Sequence, residues 1–316
     1  MKFPLFPEQA SNLAPSVDAL YFFLVGISAL VMVVIFVPMF YFLAKYRQGT
    51  NADRRPARIS ALKVEIMWMV IPLILVLIMF YWGAVVFANI QRPPPSGTLD
   101  IHIIGKQWMW KAQHPNGSRE INELHVPVGE MVKLTMTSQD VIHSFFLPAF
   151  RLKQDVLPGR YTTMWFVPTK IGVYHLFCAE YCGTKHSQMV GRIYVMSQPD
   201  YERWLTIGGS QEPLTTTGGR LFRNLGCSGC HAPNSVVRAP PLEGLYGKPV
   251  PLQNGRIVQA DEQYIRDSIL LPQSQIAAGY DPVMPTFEGY LTEEQVFQLV
   301  AYIKSLAPLT PSAQTP

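Results

Sequence analysis

The sequence is poor in charge, and the charges that it has are almost balanced. Asp, Glu, Lys and Arg make up 15% of the 316 residues, and the formal net charge is +4. A charged fraction this low is unusual for a soluble protein, and the positive mean hydropathy of +0.13 agrees with that. The small net charge, without a basic run interleaved with aromatic residues, argues against nucleic-acid binding. The composition therefore indicates membrane segments.

Cysteine is also scarce. The four cysteines form two close pairs, Cys178 with Cys182 and Cys227 with Cys230, and none is left over. In an oxidising compartment each pair could form a disulfide, so the neighbouring residues have to distinguish a disulfide from a metal site or a covalent cofactor.

Two long apolar stretches near the N-terminus predict membrane-spanning helices. Residues 17–44 carry no charge except Asp18, and residues 64–90 carry none except Glu65. Each stretch exceeds the roughly 20 residues that cross a bilayer. A cleaved signal peptide is a weaker interpretation of the first stretch, since it is too long and no small-residue cleavage site follows it. We therefore expect a two-helix hairpin, which a proline-rich run at 93–97 ends.

The linker between the two stretches is basic. Its positive residues are opposed by Asp53 alone, so the positive-inside rule places the linker in the cytoplasm and everything after the second helix outside. These positive residues are Lys45, Arg47, Arg54, Arg55, Arg58 and Lys63.

The remaining chain changes pattern twice. From residue 98 to about 196, short alternating runs are separated by Gly, Pro and Asn, which predicts an all-β sandwich or barrel. Residues 199–213, with a Gly208–Gly209 pair, predict a hinge. Helical spacing follows, and the last helix is expected over residues 291–306 behind a capping box formed by Thr292 and Gln295.

The loop at residues 178–189 reads CAEYCGTKHSQM and lies between two predicted strands, while His143 lies upstream at the end of another strand. A blue-copper site needs one Cys, two His and a weak Met on a β-sandwich, and this loop adds a second Cys. Two thiolates four residues apart can bridge two copper ions and leave no coordination position open, which suits electron transfer. A disulfide would leave His186 and Met189 without a role, and a structural zinc would leave the methionine without one.

Residues from about 17 to 196 resemble cytochrome c oxidase subunit II, which has a helical hairpin followed by a cupredoxin domain with the dinuclear CuA centre. The resemblance implies that Glu180 binds copper through its main-chain carbonyl, and that its side chain binds a magnesium ion shared with subunit I. The implied copper ligands are His143, Cys178, Glu180, Cys182, His186 and Met189.

The resemblance also assigns roles to two further residues. The run GKQWMW at 105–110 is similar to the family's aromatic stretch, in which the tryptophan at the position of Trp108 passes electrons from cytochrome c to copper. Met109 stands where the family often has tyrosine, and we give it no role. Glu65 is similar to a glutamate at the mouth of a proton path into subunit I. The alternatives are a core aromatic for Trp108 and an interfacial carboxylate for Glu65.

Residues 227–231 form the pattern C-x-x-C-H, by which c-type haem is attached through Cys227 and Cys230 and bound by His231. A redox dithiol or a zinc knuckle is the alternative. We expect the carbonyl of a proline in the RAPPL run at 238–242 to orient His231. Met284 precedes the last helix and is the expected sixth iron ligand. Residues 218–306 resemble a class I cytochrome c.

These observations predict a multidomain membrane protein with a transmembrane hairpin, an all-β cupredoxin sandwich and a small all-α cytochrome c domain. The expected boundaries are 1–95 for the hairpin, 96–200 for the cupredoxin domain, 201–217 for a linker, 218–310 for the cytochrome c domain and 311–316 for a tail. We expect the chain in a bacterial inner membrane, with both soluble domains on the periplasmic face.

The predicted function is that of the electron-accepting subunit of a haem–copper cytochrome c oxidase. The chain has no second haem motif and no histidine cluster in its apolar stretches, so O2 reduction belongs to subunit I. Further expected partners are subunit III and an upstream donor, either a cytochrome c or a quinol-oxidising complex. A CuA-bearing component of a nitric oxide or nitrous oxide reductase and a membrane-anchored copper chaperone stay open. A quinol-oxidase subunit is disfavoured because that branch lacks these cysteines.

Overall fold

The computed structural model describes residues 6–54, 61–92, 98–207, 212–232, 235, 237 and 239–306. Several features named above lie outside these residues. They are the proline-rich run at 93–97, Arg55, Arg58, the Gly208–Gly209 pair, Arg238 and the tail at 311–316.

Both predicted membrane helices are confirmed. Helix α1 spans Ala14–Lys45 and helix α2 spans Ala61–Gln91, and together they form a compact unit of the chain. Their apolar windows have mean hydropathies of 2.8 and 2.6. Within this unit Phe23 and Trp82 meet with ring centroids 5.2 Å apart. Most of the other large apolar side chains on the two helices are exposed, as expected for surfaces that contact lipid.

Ten strands build the predicted β-sandwich, which we call the sandwich domain (residues 98–196). The strands are β1 Leu99–Lys106, β2 Met109–Gln113, β3 Arg119–Ile121, β4 Glu123–Pro127, β5 Val132–Ser138, β6 His143–Leu147, β7 Leu152–Val156, β8 Thr162–Phe166, β9 Gly172–Cys178 and β10 Val190–Met196. One sheet has the order β3-β2-β1-β5-β8 and the other has the order β4-β10-β9-β6-β7. Inward-facing residues of both sheets, such as Ile101, Trp110 and Phe145, are fully or almost fully buried.

Residues 212–306 form a second, mainly helical domain, which we call the C-terminal domain. It contains helices α4 Leu214–Asn224, α5 Ser228–His231, α6 Glu262–Leu270 and α7 Glu293–Ser305, and a small hairpin of β11 Pro249–Pro251 and β12 Ile257–Gln259. The predicted capping box at Thr292 and Gln295 begins α7. A Cβ on Gly218 would lie 1.9 Å from the carbonyl oxygen of Gln298, so the close approach of α4 to α7 requires glycine there.

The segment that we expected to be a hinge is partly helical. Helix α3 spans Gln198–Ile207, directly after the last strand of the sandwich. Its aromatic residues pack on the sandwich domain: the ring of Trp204 stacks on His125 with centroids 4.5 Å apart, and Tyr201 is buried. The hinge prediction was wrong for these residues, because Pro199 lies in the first helical turn, where proline is tolerated.

The C-terminal domain lies against the outer face of the first sheet. Phe297 of α7 stacks on His102 of β1, with centroids 4.2 Å apart, and on Tyr161, with centroids 5.0 Å apart. For this reason β1 is buried on both faces from Ile101 to Gly105, although its sequence alternates like a half-exposed strand.

Candidate copper centre and haem site

Strand ends bring the predicted copper ligands together. His143 begins β6 and Cys178 ends β9, and these two strands are neighbours in the second sheet. The N–H of Cys178 donates to the carbonyl of Met189, 3.2 Å away, which closes the base of the loop at 178–189. His186 lies in a short 3₁₀ turn inside this loop. The fold thus gathers residues that are up to 46 positions apart in the sequence.

The two sulfur atoms at the centre of this site are close but not bonded. The Sγ atoms of Cys178 and Cys182 are 3.8 Å apart, whereas a disulfide requires about 2.05 Å. The Nδ1 of His143 lies 4.0 Å from the first sulfur, and the Nδ1 of His186 lies 3.6 Å from the second. Each thiol group therefore has its own imidazole, and the two cysteines do not form a disulfide.

Two weaker donors complete the set. The carbonyl oxygen of Glu180 lies 3.2 Å from the sulfur of Cys178, and the thioether of Met189 lies 3.8 Å from the sulfur of Cys182. Met189 is fully buried and Cys182 is 3% exposed. Two soft sulfurs flanked by two imidazoles, a thioether and a carbonyl fit two copper ions, with one imidazole and one weak donor for each. A zinc ion would have no use for the thioether.

The thiols differ in their electrostatic environment. Burial raises the pKa of Cys178, but the hydrogen bond from His143 and those from neighbouring backbone N–H groups outweigh it, so the pKa falls. Burial and the adjacent charge on Cys178 raise the pKa of Cys182. The pair thus favours one thiolate over two, and a bound cation is what would deprotonate both.

His143 is oriented by residues that the sequence analysis missed. Its Nε2 lies 2.8 Å from Asp140 Oδ1, which leaves Nδ1 to face the sulfur atoms. On the opposite side, a Cβ on Gly105 would lie 2.9 Å from the His143 ring, so only glycine fits there. The sequence offered one signal for Asp140, which is its position three residues before the histidine.

The tryptophans at 108 and 110 have different environments. Trp110 is the core aromatic, 2% exposed and in edge contact with Phe145. Trp108 lies in the turn between β1 and β2, and its Nε1 donates to the carbonyl of Cys182, 3.3 Å away. The Nζ of Lys185 lies 5.8 Å from the ring centroid of Trp108. Trp108 therefore contacts the loop at residues 178–189 itself, which we call the copper loop after its predicted ligands.

A second group of possible ligands, Glu120, Glu123 and His125, also occurs in the sandwich domain. Glu120 accepts hydrogen bonds from both imidazoles that flank it: His114 Nε2 lies 2.7 Å away, and His125 Nδ1 is in close contact. The backbone N–H of His125 adds a third at 3.0 Å. Burial raises the pKa of Glu120, but these hydrogen bonds outweigh it and lower the pKa to about 2. The carboxylate is thus stabilised without a metal.

The C-terminal domain contains an apolar cleft with about 950 Å³ of empty space that is continuous with solvent. Its walls come from α4, α6 and α7 and the loops between them, and include Phe222, Leu242, Ile265, Ile269, Leu299 and Ile303. Cys227, His231 and Met284 line the same cleft, and Cys230 lines its outer part. An apolar cleft with two thiols, an imidazole and a thioether fits a covalently attached haem.

His231 has the orientation that an iron ligand needs. Its Nδ1 lies 2.9 Å from the carbonyl oxygen of Pro240, as expected from the RAPPL run at 238–242. Nε2 is therefore the nitrogen left for iron. This hydrogen bond fixes the tautomer and the ring plane before any haem is attached.

Comparison with known proteins agrees with these sites. The family profile described as "Cytochrome C oxidase subunit II, transmembrane domain" matches residues 2–82, and the one for the periplasmic domain of the same subunit matches residues 119–196. Subunit 2 of cytochrome c oxidase from Alkalihalophilus pseudofirmus is 32% identical over 296 residues, which cover 89% of this chain and 84% of that protein. This chain belongs to the cytochrome c oxidase subunit II family.

Further matches extend this result. The cytochrome c profile matches residues 215–307, so the chain combines subunit II with a C-terminal cytochrome c domain. Subunit 2 from Thermostichus vulcanus is 29% identical over 254 residues, which cover 63% of this chain and 77% of that protein. The chain is therefore a membrane-anchored component of a haem–copper terminal oxidase, and its family implies copper and haem c as cofactors.

The resemblance predicts roles toward subunit I for Glu180 and Glu65. Glu180 lies within the loop at 178–189, and its side chain is exposed. Glu65 is exposed near the start of α2. Among the described residues, neither glutamate forms an ion pair, and both assignments stay predictions.

Proposed function

We propose that this chain passes electrons from a haem c in its C-terminal domain to a dinuclear copper centre in its sandwich domain, and from there to subunit I. Subunit I would reduce O2 to water with coupled proton pumping. The observation that carries the proposal is the 3.8 Å separation of the unbonded Cys178 and Cys182 sulfurs, each with its own imidazole. Because all six donors come from the protein, no position is left for a substrate, as electron transfer requires.

In the C-terminal domain, we assign Cys227 and Cys230 to covalent attachment of a haem, and His231 and Met284 would hold its iron. A haem with a histidine and a methionine ligand exchanges single electrons at a raised potential. The apolar walls of the cleft would exclude water from the haem, and the hydrogen bond of His231 to Pro240 orients the imidazole that would hold its iron.

The membrane arrangement follows from charge. The basic linker between α1 and α2 supports a cytoplasmic location for that linker, and hence a periplasmic location for both soluble domains at a bacterial inner membrane. We assign Glu180 to a magnesium ion shared with subunit I, and Glu65 to the mouth of a proton path. Trp108, in contact with the copper loop, is our candidate for receiving electrons from a separate cytochrome c.

Fusion of the cytochrome makes the first transfer intramolecular, so strong charge steering is not needed. The segment 98–200 has 10 Lys and Arg against 8 Asp and Glu, which is not the acidic composition expected for capture of a basic free cytochrome. Subunit III and a cytochrome c or quinol-oxidising donor complete the proposed assembly. Since both relatives described above are oxidase subunits, the oxidase is favoured over a nitric oxide or nitrous oxide reductase and over a copper chaperone.

Metal analysis of the purified full-length protein tests this function. We expect two copper ions and one haem per chain. The Cys182→Ser variant should lose the near-infrared copper band and keep the haem spectrum, whereas Thr184→Ser, in the same loop, should keep both. One copper per chain in the wild type would contradict the dinuclear centre, and a spectrum unchanged by Cys182→Ser would contradict the role of this thiol.

A further inference from the structure

The C-terminal domain contacts the sandwich domain with the side of α6 that faces away from the cleft. Ile265 and Ile269 line the cleft, whereas Gln263 and Arg266 point to the sandwich domain. Since a helix with its side chains is about 10 Å across, a single helix separates the cleft from the sandwich domain at this point.

Arg266 makes the principal contact of this side. It is 4% exposed, and its Nη1 donates to the carbonyl oxygen of Gly159, 2.8 Å away. Its Nη2 lies 2.8 Å from Glu293 Oε1, so its charge is compensated within the C-terminal domain. Its guanidinium also lies 5.6 Å from the ring centroid of Tyr161, whose backbone N–H donates to Gln263. Arg266 is thus fixed in a dry contact with the loop that joins β7 to β8.

The loop that joins β7 to β8 connects Arg266 to His143, one of the predicted copper ligands. Gly159 lies three residues after Val156, and Val156 is the partner of His143 in the antiparallel β6–β7 pair. The carbonyl of Leu157, between them, accepts a hydrogen bond from the backbone of Ser138 at 3.1 Å. From Arg266 to His143 the connection therefore consists of covalent bonds and hydrogen bonds, with no solvent gap.

A second contact reaches the same side of the copper site. Glu294, in the first turn of α7, accepts a hydrogen bond from Gln139 Nε2 at 3.0 Å, and the backbone N–H of Gln139 donates to Gly105, which packs on the His143 ring. Glu294 does not line the cleft, however, so the route through α6 is the more direct one.

Trp108 lies outside the contact between the C-terminal domain and the sandwich domain. Its described contacts are with Cys182 and Lys185, both in the sandwich domain. Among the residues that the structure describes, no hydrogen bond, ion pair or ring contact joins Trp108 to the C-terminal domain. The fused domain therefore leaves the tryptophan free to receive electrons from another donor.

We propose that electrons from the fused haem domain cross to the copper centre through the contact of Arg266 with Gly159, and reach it on the His143 side instead of through Trp108. This inference rests on the proposed function. Electron tunnelling weakens less along covalent and hydrogen bonds than across gaps. Arg266 acts here as a positioning residue, because it ties α6, which lines the haem cleft, to the peptide that leads to His143.

The test uses the full-length protein loaded with haem and copper. Two quantities are measured: the rate of haem-to-copper transfer after photochemical reduction of the haem, and the hydrogen exchange of the Tyr161 amide, which reports the contact between the domains. Arg266→Gln should slow the transfer several-fold, because a gap replaces the hydrogen bond to Gly159 in the path, while the Tyr161 amide stays protected. Arg203→Gln, the same change in an exposed arginine of α3, should leave both quantities as in the wild type.

A second variant separates the route from docking in general. Lys304→Gln weakens the far end of the domain contact without touching Arg266, and it should slow the transfer much less than Arg266→Gln does. Should Arg266→Gln not assemble, Arg266→Lys replaces it, and this variant should also slow the transfer more than Lys304→Gln does.

Three results would overturn the route. The first is an unchanged transfer rate in an Arg266→Gln protein whose Tyr161 amide stays protected, and the second is slowing in Arg266→Gln and Lys304→Gln that is in proportion to their loss of Tyr161 protection. The third is that Trp108→Phe slows the transfer as much as Arg266→Gln does. Failure of the proposed function would be distinct, because the wild type itself would then lack copper or show no transfer from haem to copper.

Discussion

The carboxylate of Asp140 fixes the imidazole of His143: Nε2 of the histidine lies 2.8 Å from Asp140 Oδ1, and Nδ1 consequently faces the sulfur of Cys178. The same carboxylate accepts the backbone N–H of Gln107 at 2.8 Å, so Asp140 anchors both His143 and the turn that carries Trp108. Burial raises the pKa of Asp140, but hydrogen bonds from Gln107 and His143 outweigh it and lower the pKa, which keeps the group ionised.

Replacement of Asp140 by alanine is expected to reduce the affinity for copper by about 10- to 100-fold, because a ligating histidine loses its orienting partner. Competition with a copper chelator on the purified full-length protein measures this. Asp200→Ala removes an exposed carboxylate of α3 and serves as the matched control. Equal affinities of the Asp140→Ala and wild-type proteins would show that the imidazole is positioned by packing alone.

Replacement of Met284 by alanine should open the haem iron to carbon monoxide, because the thioether that lines the cleft would no longer close the sixth position. The spectrum of the reduced protein before and after addition of carbon monoxide measures this. Met164→Leu, a change in the core of the sandwich domain, should leave that spectrum unaltered. A Met284→Ala protein that still excludes carbon monoxide would require another axial ligand.

Lys304 is expected to stabilise the contact between the two soluble domains. Its Nζ lies 2.7 Å from Glu262 Oε1 and 3.2 Å from Asp100 Oδ2, and Lys133 is the other cation in this four-residue cluster. Lys304→Gln would leave two largely buried carboxylates with one cation, which should lower the free energy of unfolding by about 1–3 kcal/mol.

Denaturation of the purified chain by urea measures the effect of Lys304→Gln. Lys170→Gln is the control: Lys170 pairs with Glu8, but both side chains are more than half exposed, so no measurable change is expected. Equal stabilities of the Lys304→Gln and wild-type proteins would mean that the aromatic contacts of Phe297 suffice to dock the domains.

His102 is expected to make stability depend on pH. Burial under Phe297 and its neighbours lowers the pKa of His102 to about 4. The unfolded chain takes up this proton near pH 6.5 and the folded chain only near pH 4, so the stabilisation is complete above pH 6.5 and is lost as the pH falls towards 4. The expected loss is about 3 kcal/mol at pH 4 relative to pH 7.

Urea denaturation between pH 7 and pH 4.5 tests this, because the buried carboxylates of Asp100, Glu120 and Glu262, whose pKa values are lowered, lose their stabilisation mainly below that range. His102→Phe keeps an aromatic ring against Phe297 and removes the titration, so its stability should fall less steeply with acid. Parallel pH profiles for the two proteins would contradict the assignment.

The elements and the ligand sets were predictable because their signals are local. The apolar length of α1 and α2, the alternation of the strands and the capping box of α7 each follow from neighbouring residues. The loop at 178–189 carries five of the six copper donors, and C-x-x-C-H is contiguous. The helix α3 was not predicted, because its stability comes from packing of Tyr201 and Trp204 on the sandwich domain rather than from its own sequence pattern.

The sequence by itself determined which residue types could bind copper and haem, since thiols, imidazoles and thioethers at these spacings have few other uses. Only the tertiary structure decided that Asp140 and Gly105 orient His143, and that α6 joins the cleft to the copper side through Arg266 and Gly159. Arg266 and Gly159 lie 107 positions apart, and no local pattern specifies a contact at that separation. It arises because burial of Phe297 and of the surrounding ion pairs positions one whole domain against the other.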